Sequence, residues 1–159
     1  LLAHRPDLRL HEVRGNVETR LRKLDEGEFD AIILACAGLE RLGLGARISK
    51  RLSPPVMYPA VGQGAIGIEC RAGDSVTQGI LARLTHCPTW AAAHAERSLL
   101  ATLRAGCHAP VGVCSTIREG RLRLEGLVIR PDGSRQWFAA AEAELAVATD
   151  IGRHVAELL

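Results

Sequence analysis

The sequence predicts an α/β fold followed by a small α+β domain, and three observations carry that expectation. The first half alternates strand-like and helix-like segments, the order that builds a parallel or mixed sheet covered by helices. The second half opens with a long alanine-rich helical stretch and continues in three segments of alternating polarity separated by turn residues. Between the halves lies the glycine-rich run Pro59-Ala60-Val61-Gly62-Gln63-Gly64, which reads as a crossing segment.

Leu1–His4 reads as the tail of a helix, closed by the turn Arg5-Pro6-Asp7. Leu8, Leu10 and Val13 alternate roughly as a strand. Asn16 is placed to cap a helix over Val17–Leu24, on which Val17, Leu21 and Leu24 share one face. Ala31–Ala35 is a continuous apolar run, the pattern of a strand buried on both faces. Short helices are expected over Gly38–Leu42 and near Ala46–Leu52, ahead of Pro54-Pro55. Ala65–Cys70 reads as a short strand, and Asp74–Leu84 as a helix capped by Asp74 or Ser75. A helix over Pro88–Leu103 follows, with proline tolerated in its first turn and Gly106 beyond its end. Pro110–Thr116, Leu122–Ile129 and Arg135–Ala141 are the three expected strands. Pro131-Asp132-Gly133-Ser134 joins the last two as a hairpin. A last helix is expected over Glu142–Leu159.

Composition excludes several classes. Among 159 residues, 47% are hydrophobic and 24% charged, as in ordinary globular domains and unlike disordered chains. The most apolar window, Ala31–Leu39, lies between Asp30 and Glu40 and falls short of the ~18 apolar residues a membrane span needs. The start does not resemble a secretory signal, because Leu1-Leu2-Ala3 runs directly into His4, Arg5 and Asp7. Twenty basic against eighteen acidic side chains leave a net charge of +2, too balanced for a nucleic-acid binder, and aromatics at 3% offer little base stacking. Only Lys23 and Lys50 are lysine and the rest of the basic set is arginine. GC-rich coding is one source of that bias; binding of carboxylates or phosphates, which suit the guanidinium fork, is another. Five cysteines without a CxxC pair fit a reducing cytoplasm better than a disulfide framework.

Two groups could carry chemistry. Arg14 and Arg20 flank Gly15 and Asn16 at an expected strand-to-helix turn, where open α/β sheets bind ligands and where helix amides face an anion. The same residues also read as solvated surface arginines. Cys107 stands in Ala105-Gly106-Cys107-His108-Ala109-Pro110, between a helix and a strand, with His108 beside it to assist thiolate formation. A structural role for that cysteine is the alternative, and Cys36 and Cys70 sit in apolar segments that suit inert thiols. His86-Cys87 and Cys107-His108 do not have the pair spacing of a zinc site. None of Asp25, Glu26, Asp30 or Glu40 sits in an apolar setting that would raise its pKa for acid–base work.

Four stretches carry a resemblance: "LHEVRGNVETRL" (10–21), "FDAIILACAGLERLGL" (29–44), "PAVGQGAIGIECR" (59–71) and "AERSLLATLRAGCHAPVG" (95–112). In this order and spacing they resemble the porphobilinogen deaminase (hydroxymethylbilane synthase) family over essentially the whole chain. The resemblance implies a transferase of porphyrin and haem biosynthesis. It joins four porphobilinogen molecules head to tail with loss of ammonia and releases hydroxymethylbilane. It implies a covalent dipyrromethane cofactor held by thioether to Cys107, and cofactor and substrate carboxylates held by Arg14, Gly15, Arg20 and Arg41. A monomeric cytoplasmic enzyme with a small-molecule substrate, and no nucleic-acid or membrane partner, is the matching expectation. The attachment loop departs from the family's commoner Gly-Gly-Cys-Gln-Val-Pro at Ala105, His108 and Ala109, none of which removes the thiol.

The family has three domains, the first two like periplasmic-binding-protein lobes. By that comparison, residues 1–58 are expected to be the remainder of domain 2, 59–84 a hinge and return segment of domain 1, and 87–159 the C-terminal α+β domain. The chain is thus expected to be a C-terminal portion lacking the N-terminal part with the catalytic aspartate, and to be inactive alone. The alternative reading is a non-enzymatic anion-binding module of binding-protein type, which accounts for Arg14 and Arg20 but not for the Gly-Cys loop.

Overall fold

The computed structural model describes residues 1–106 and 109–159, and its contacts fall into two units, Leu1–Leu52 and Ser53–Leu159. In the first unit, helix α1 (Val17–Asp25) starts where the Asn16 side chain accepts a hydrogen bond from Thr19 N at 2.8 Å. That satisfies one of the amides a helix N-terminus leaves free. Leu21 is the buried residue of its apolar face, and Arg22 closes the last turn on Glu26 at 2.7 Å. Helix α2 (Cys36–Arg41) buries Leu39, and Gly43 at φ +72° lets Leu44 N return to Leu39 O at 2.8 Å. A single 3-10 turn, Gly45–Arg47, is tied to the end of α1 by Arg47 Nη2 on Asp25 Oδ1 at 2.5 Å, and Arg51 pairs with Glu40.

The second unit holds α3 (Ser75–Leu84), α4 (Cys87–Thr102), β1 (Val111–Arg118), β2 (Arg121–Ile129), β3 (Gln136–Glu144) and α5 (Ala148–Leu158). Asp74 caps α3 through Thr77 N at 3.0 Å. The strands form an antiparallel sheet in the order β1-β2-β3, with Val113 opposite Gly126 and Gly126 opposite Ala139. The β1–β2 turn is the pair Glu119-Gly120, at φ +49° and +74°, the positive-φ pair whose twist matches the strands it joins.

Both α4 and α5 cover one face of this sheet. Ala91, Ala95 and Leu99 recur every four residues on α4 and pack with Val113, Leu122, Leu124, Ile151 and Val155 in one buried cluster. The alanines let the helices approach closely: a Cβ added at Gly152 of α5 would overlap the Ala95 carbonyl oxygen.

Along the free edge of β1, the segment preceding α3 is docked. Pro59 O accepts from Val113 N at 3.1 Å, Tyr58 lies on Gly112 with its hydroxyl 3.2 Å from Glu125 Oε2, and Val61 packs against the core.

Three expectations are corrected here. The α/β layer with a parallel or mixed sheet, read as the remainder of a binding-protein lobe, is not what the first half forms. Its regular elements are helical, and residues 8–13, 31–35 and 65–70 carry no regular structure and no ladder partner among the described residues. An apolar run marks a segment able to extend, but pairing and burial decide whether it becomes a strand. Leu10, Ile33, Ile66 and Ile68 are exposed instead. The helix expected near Ala46–Leu52 is only the turn Gly45–Arg47, beyond which Ile48 is extended. The last helix starts at Ala148 rather than Glu142. Glu142–Glu144 instead pair with Arg121–Arg123, where the small side chain of Ala143 faces Leu122 across the ladder and tertiary pairing overrides helix propensity.

Candidate functional site

The Arg14–Arg20 loop is built around one backbone constraint. Gly15 has φ +121°, a conformation disfavoured for side chains with a Cβ, and a Cβ there would stand 2.8 Å from Thr19 Cβ and Cγ2. With that space open, the Gly15 carbonyl accepts Arg20 Nε at 2.8 Å. Thr19 is at the same time the residue whose amide the Asn16 cap receives. A single turn therefore caps α1 and fixes the plane of the Arg20 guanidinium.

Arg20 is half-buried, and its Nη atoms meet no acceptor among the described residues. Arg14 is the opposite kind of group. Its side chain is 90% exposed and only loosely paired, with Glu12 at 3.3 Å. Such a pair contributes little in water, so Arg14 is available to a better anion. Between them, the Asn16 side chain accepts the Thr19 amide and its carbonyl the Arg20 amide, which leaves the two guanidiniums as donors that could receive a carboxylate.

Arg41 ends α2, is exposed, and shares no hydrogen bond or ion pair with Arg14 or Arg20 among the described residues. Arg47 and Arg51, its neighbours in sequence, are occupied by Asp25 and Glu40. The structure brings Arg14, Gly15 and Arg20 together at the start of α1 and leaves Arg41 on a separate element.

Cys107 and His108 lie outside the described residues. Around them, α4 ends at Thr102 and β1 begins at Val111. The other four cysteines are free thiols: Cys36, Cys70 and Cys114 are half-buried and Cys87 is exposed. Burial pushes the Cys114 thiol up from its ordinary value, and the carboxylates of Glu125 and Glu96 push it further. That thiol is therefore held in its unreactive form. His86 Nδ1 faces Thr89 Oγ1 at 2.8 Å.

Reading the residues alone left Glu96 without a role. It lies within the "AERSLLATLRAGCHAPVG" stretch, but its partners are distant in sequence: Oε2 accepts Gly62 N at 2.7 Å and Oε1 accepts Ser115 Oγ at 2.5 Å. No local pattern announces such a receiver. The glycine-rich run around Gly62 is the one available signal.

Two family models match the chain. "Porphobilinogen deaminase, dipyromethane cofactor binding domain" matches residues 1–79 and "Porphobilinogen deaminase, C-terminal domain" residues 90–159. Curated proteins named porphobilinogen deaminase are similar as well. That of Desulforudis audaxviator is 54% identical over 134 residues, covering 84% of this chain and 43% of the relative. Those of Thiobacillus denitrificans and Chromobacterium violaceum are 47% and 49% identical over all 159 residues, covering 52% of each relative. The chain thus spans about half the length of the curated relatives it matches.

These matches correct the expectation of a C-terminal portion from which the family's N-terminal, cofactor-binding part is missing. The model of the cofactor-binding domain itself matches residues 1–79, the stretch that contains the arginine loop and α1. Among the described residues, no helix is long and apolar enough to cross a membrane.

Proposed function

The chain belongs to the porphobilinogen deaminase family, and from that premise we propose that its protein is the transferase that joins four porphobilinogen molecules into hydroxymethylbilane with release of ammonia. The observation that carries this reading is the presence of both family models on one chain, in order, the first of them containing the turn in which Gly15 O holds Arg20 Nε. Porphobilinogen bears an acetate and a propionate, so each added unit brings two more carboxylates to be held.

The residues divide the work. Arg20, oriented by Gly15 O, presents its two Nη atoms as a fixed fork. Arg14 exchanges its loose pairing with Glu12 for a substrate or cofactor carboxylate. Arg41 supplies a third cation from α2. Bidentate guanidinium–carboxylate pairs set direction as well as affinity, which a growing chain of like units requires. Cys107 would be the residue that holds the cofactor: its sulfur would bond to a pyrrole methylene carbon as that carbon's bond to the amine breaks, the thiol proton leaving with the departing ammonia. When bound there, the dipyrromethane supplies the pyrrole carbon to which the first porphobilinogen is joined. We take the working protein to act in the cytoplasm, where a thiol needed for attachment stays reduced, as a monomer on a small-molecule substrate.

The test is an intact mass of the whole protein together with an acidic aldehyde reagent for pyrroles. An adduct of dipyrromethane mass, colour with the reagent, and loss of both in Cys107→Ala are the expected results, with four ammonia released per tetrapyrrole in the turnover assay. Anion binding at the arginine loop in a protein with neither adduct nor turnover would leave the non-enzymatic binding module as the better account.

A further inference from the structure

We propose that residues Tyr58–Gly62 form a strap that docks on the sheet of the second unit and releases from it as one piece, with Glu96 as its receiving carboxylate. Four separate features of the receiving surface are shaped for it. Glu96, on α4, uses both oxygens at once: Oε2 accepts Gly62 N at 2.7 Å and Oε1 accepts Ser115 Oγ at 2.5 Å. The carboxylate therefore joins helix, strand and strap at one point.

Gly112, on β1, leaves the place that Tyr58 fills. A Cβ there would overlap Tyr58 Cβ and stand 3.4 Å from its Cγ. Glu125, on β2, receives the Tyr58 hydroxyl at 3.2 Å. Pro59 O takes the amide of Val113, on the outer edge of β1, at 3.1 Å. An edge strand presents unpaired backbone groups, and a covering segment is one of the ways proteins protect them.

The strap lies in the stretch matched by the cofactor-binding model, and every residue that receives it lies in the stretch matched by the C-terminal model. It is therefore a tie between the two family-matched parts of the chain. Its release would free five residues, roughly 16–18 Å of additional reach when extended. The connection between the two parts thus has a short docked form and a long released form.

Cooperativity follows from the spacing. Tyr58, Pro59 and Gly62 are joined by a short stretch of backbone, so losing one anchor raises the entropy gained by losing the others. Hydrogen exchange read residue by residue tests this. In the unaltered chain, Gly62 and Val113 amides should exchange through a common opening, at matched protection. Glu96→Ala should accelerate both together by about tenfold or more, the range a hydrogen bond to a charged group commands. Gly112→Ala, which acts from the other end, should accelerate the same pair. The β2–β3 ladder should be unchanged in both variants.

Acceleration at Gly62 with Val113 unchanged would overturn the proposal, because the contacts would then be independent. A parallel rise across the β2–β3 ladder would overturn it too, in favour of loosening of the whole unit. Tyr58→Phe removes one anchor and Glu96→Gln removes the charge of another, both keeping side-chain shape, and they apply the same two criteria should Glu96→Ala fold poorly.

Discussion

Replacing Gly152 by alanine sets two general effects against each other, and the packing of α5 on α4 decides between them. In a helix interior, alanine is favoured over glycine by about 0.8–1 kcal/mol. At Gly152, however, the new Cβ would overlap the Ala95 carbonyl oxygen and stand 2.7 Å from Ser98 Cβ and 3.0 Å from Leu99 N. Two of those three atoms are backbone of α4, so no rotamer change relieves the contact. The helices must move apart, and Leu99, Ile151 and Val155, all in the buried cluster, lose contact as they do. Overpacking of this kind costs about 1–3 kcal/mol, and the upper end applies where backbone blocks relaxation. The expected net loss is about 2 kcal/mol. For a unit of this size that corresponds to a fall in Tm of roughly 8–16 °C.

Gly79, inside α3, is the control, because a Cβ there meets nothing within 4 Å. Gly79→Ala should be neutral or stabilising by up to about 1 kcal/mol. Urea denaturation followed by tryptophan fluorescence reads the second unit directly, since the chain's two tryptophans, Trp90 and Trp137, both belong to it. A Gly152→Ala chain as stable as the parent, or more so, would refute the close helix approach and the reasoning built on it.

Two further outcomes follow from the sites themselves. Tyr58 is the only tyrosine, so near-ultraviolet phenolate absorbance reports it alone. Burial first, then the charge and hydrogen bond of Glu125, raise its pKa above the ordinary value, so its contribution to stability is complete below about pH 10 and is lost as pH rises through the higher folded value. Glu125→Gln should lower the titration midpoint without returning it to that of the unfolded chain, and an unshifted midpoint in the parent would count against the docked position of Tyr58. At the arginine loop, Arg20→Lys keeps the charge but loses both the fork and the Nε bond to Gly15 O. A loss of about 1.5–3 kcal/mol per charge-assisted bond should leave much of the whole protein without its cofactor adduct by intact mass; full wild-type occupancy would remove Arg20 from the binding set.

What the sequence made legible is what depends on near neighbours. Asn16 and Thr19 are three residues apart, and Asp74 and Thr77 likewise, so both helix starts could be read directly. The Asp132-Gly133-Ser134 turn closes on itself through Ser134 N and Asp132 Oδ1 at 3.0 Å, and the hairpin it supports was readable for the same reason. Glu142–Glu144 were not, because alanine and glutamate favour a helix and only the facing strand β2 makes them extend. The apolar runs at 31–35 and 65–70 fail in the opposite direction: their pattern is that of a strand, but pairing is a property of two segments and a local pattern describes only one.

The same division separates the chemistry from its support. Arg14, Gly15 and Arg20 are close in sequence, and the turn that orients Arg20 is complete within six residues, from Gly15 to Arg20. Its function could therefore be proposed before its geometry was known. Glu96 is separated from Gly62 by 34 positions and from Ser115 by 19, so its two bonds exist only once α4, β1 and the segment before α3 have come together. Glycine shows the contrast most plainly. Gly79 and Gly152 are both glycines in the middle of a helix, yet one faces open space and the other an occupied backbone. Composition and propensity treat the two alike. A substitution that distinguishes them measures the tertiary contact itself, which is why the pair tests the packing of α5 on α4 where either change alone would not.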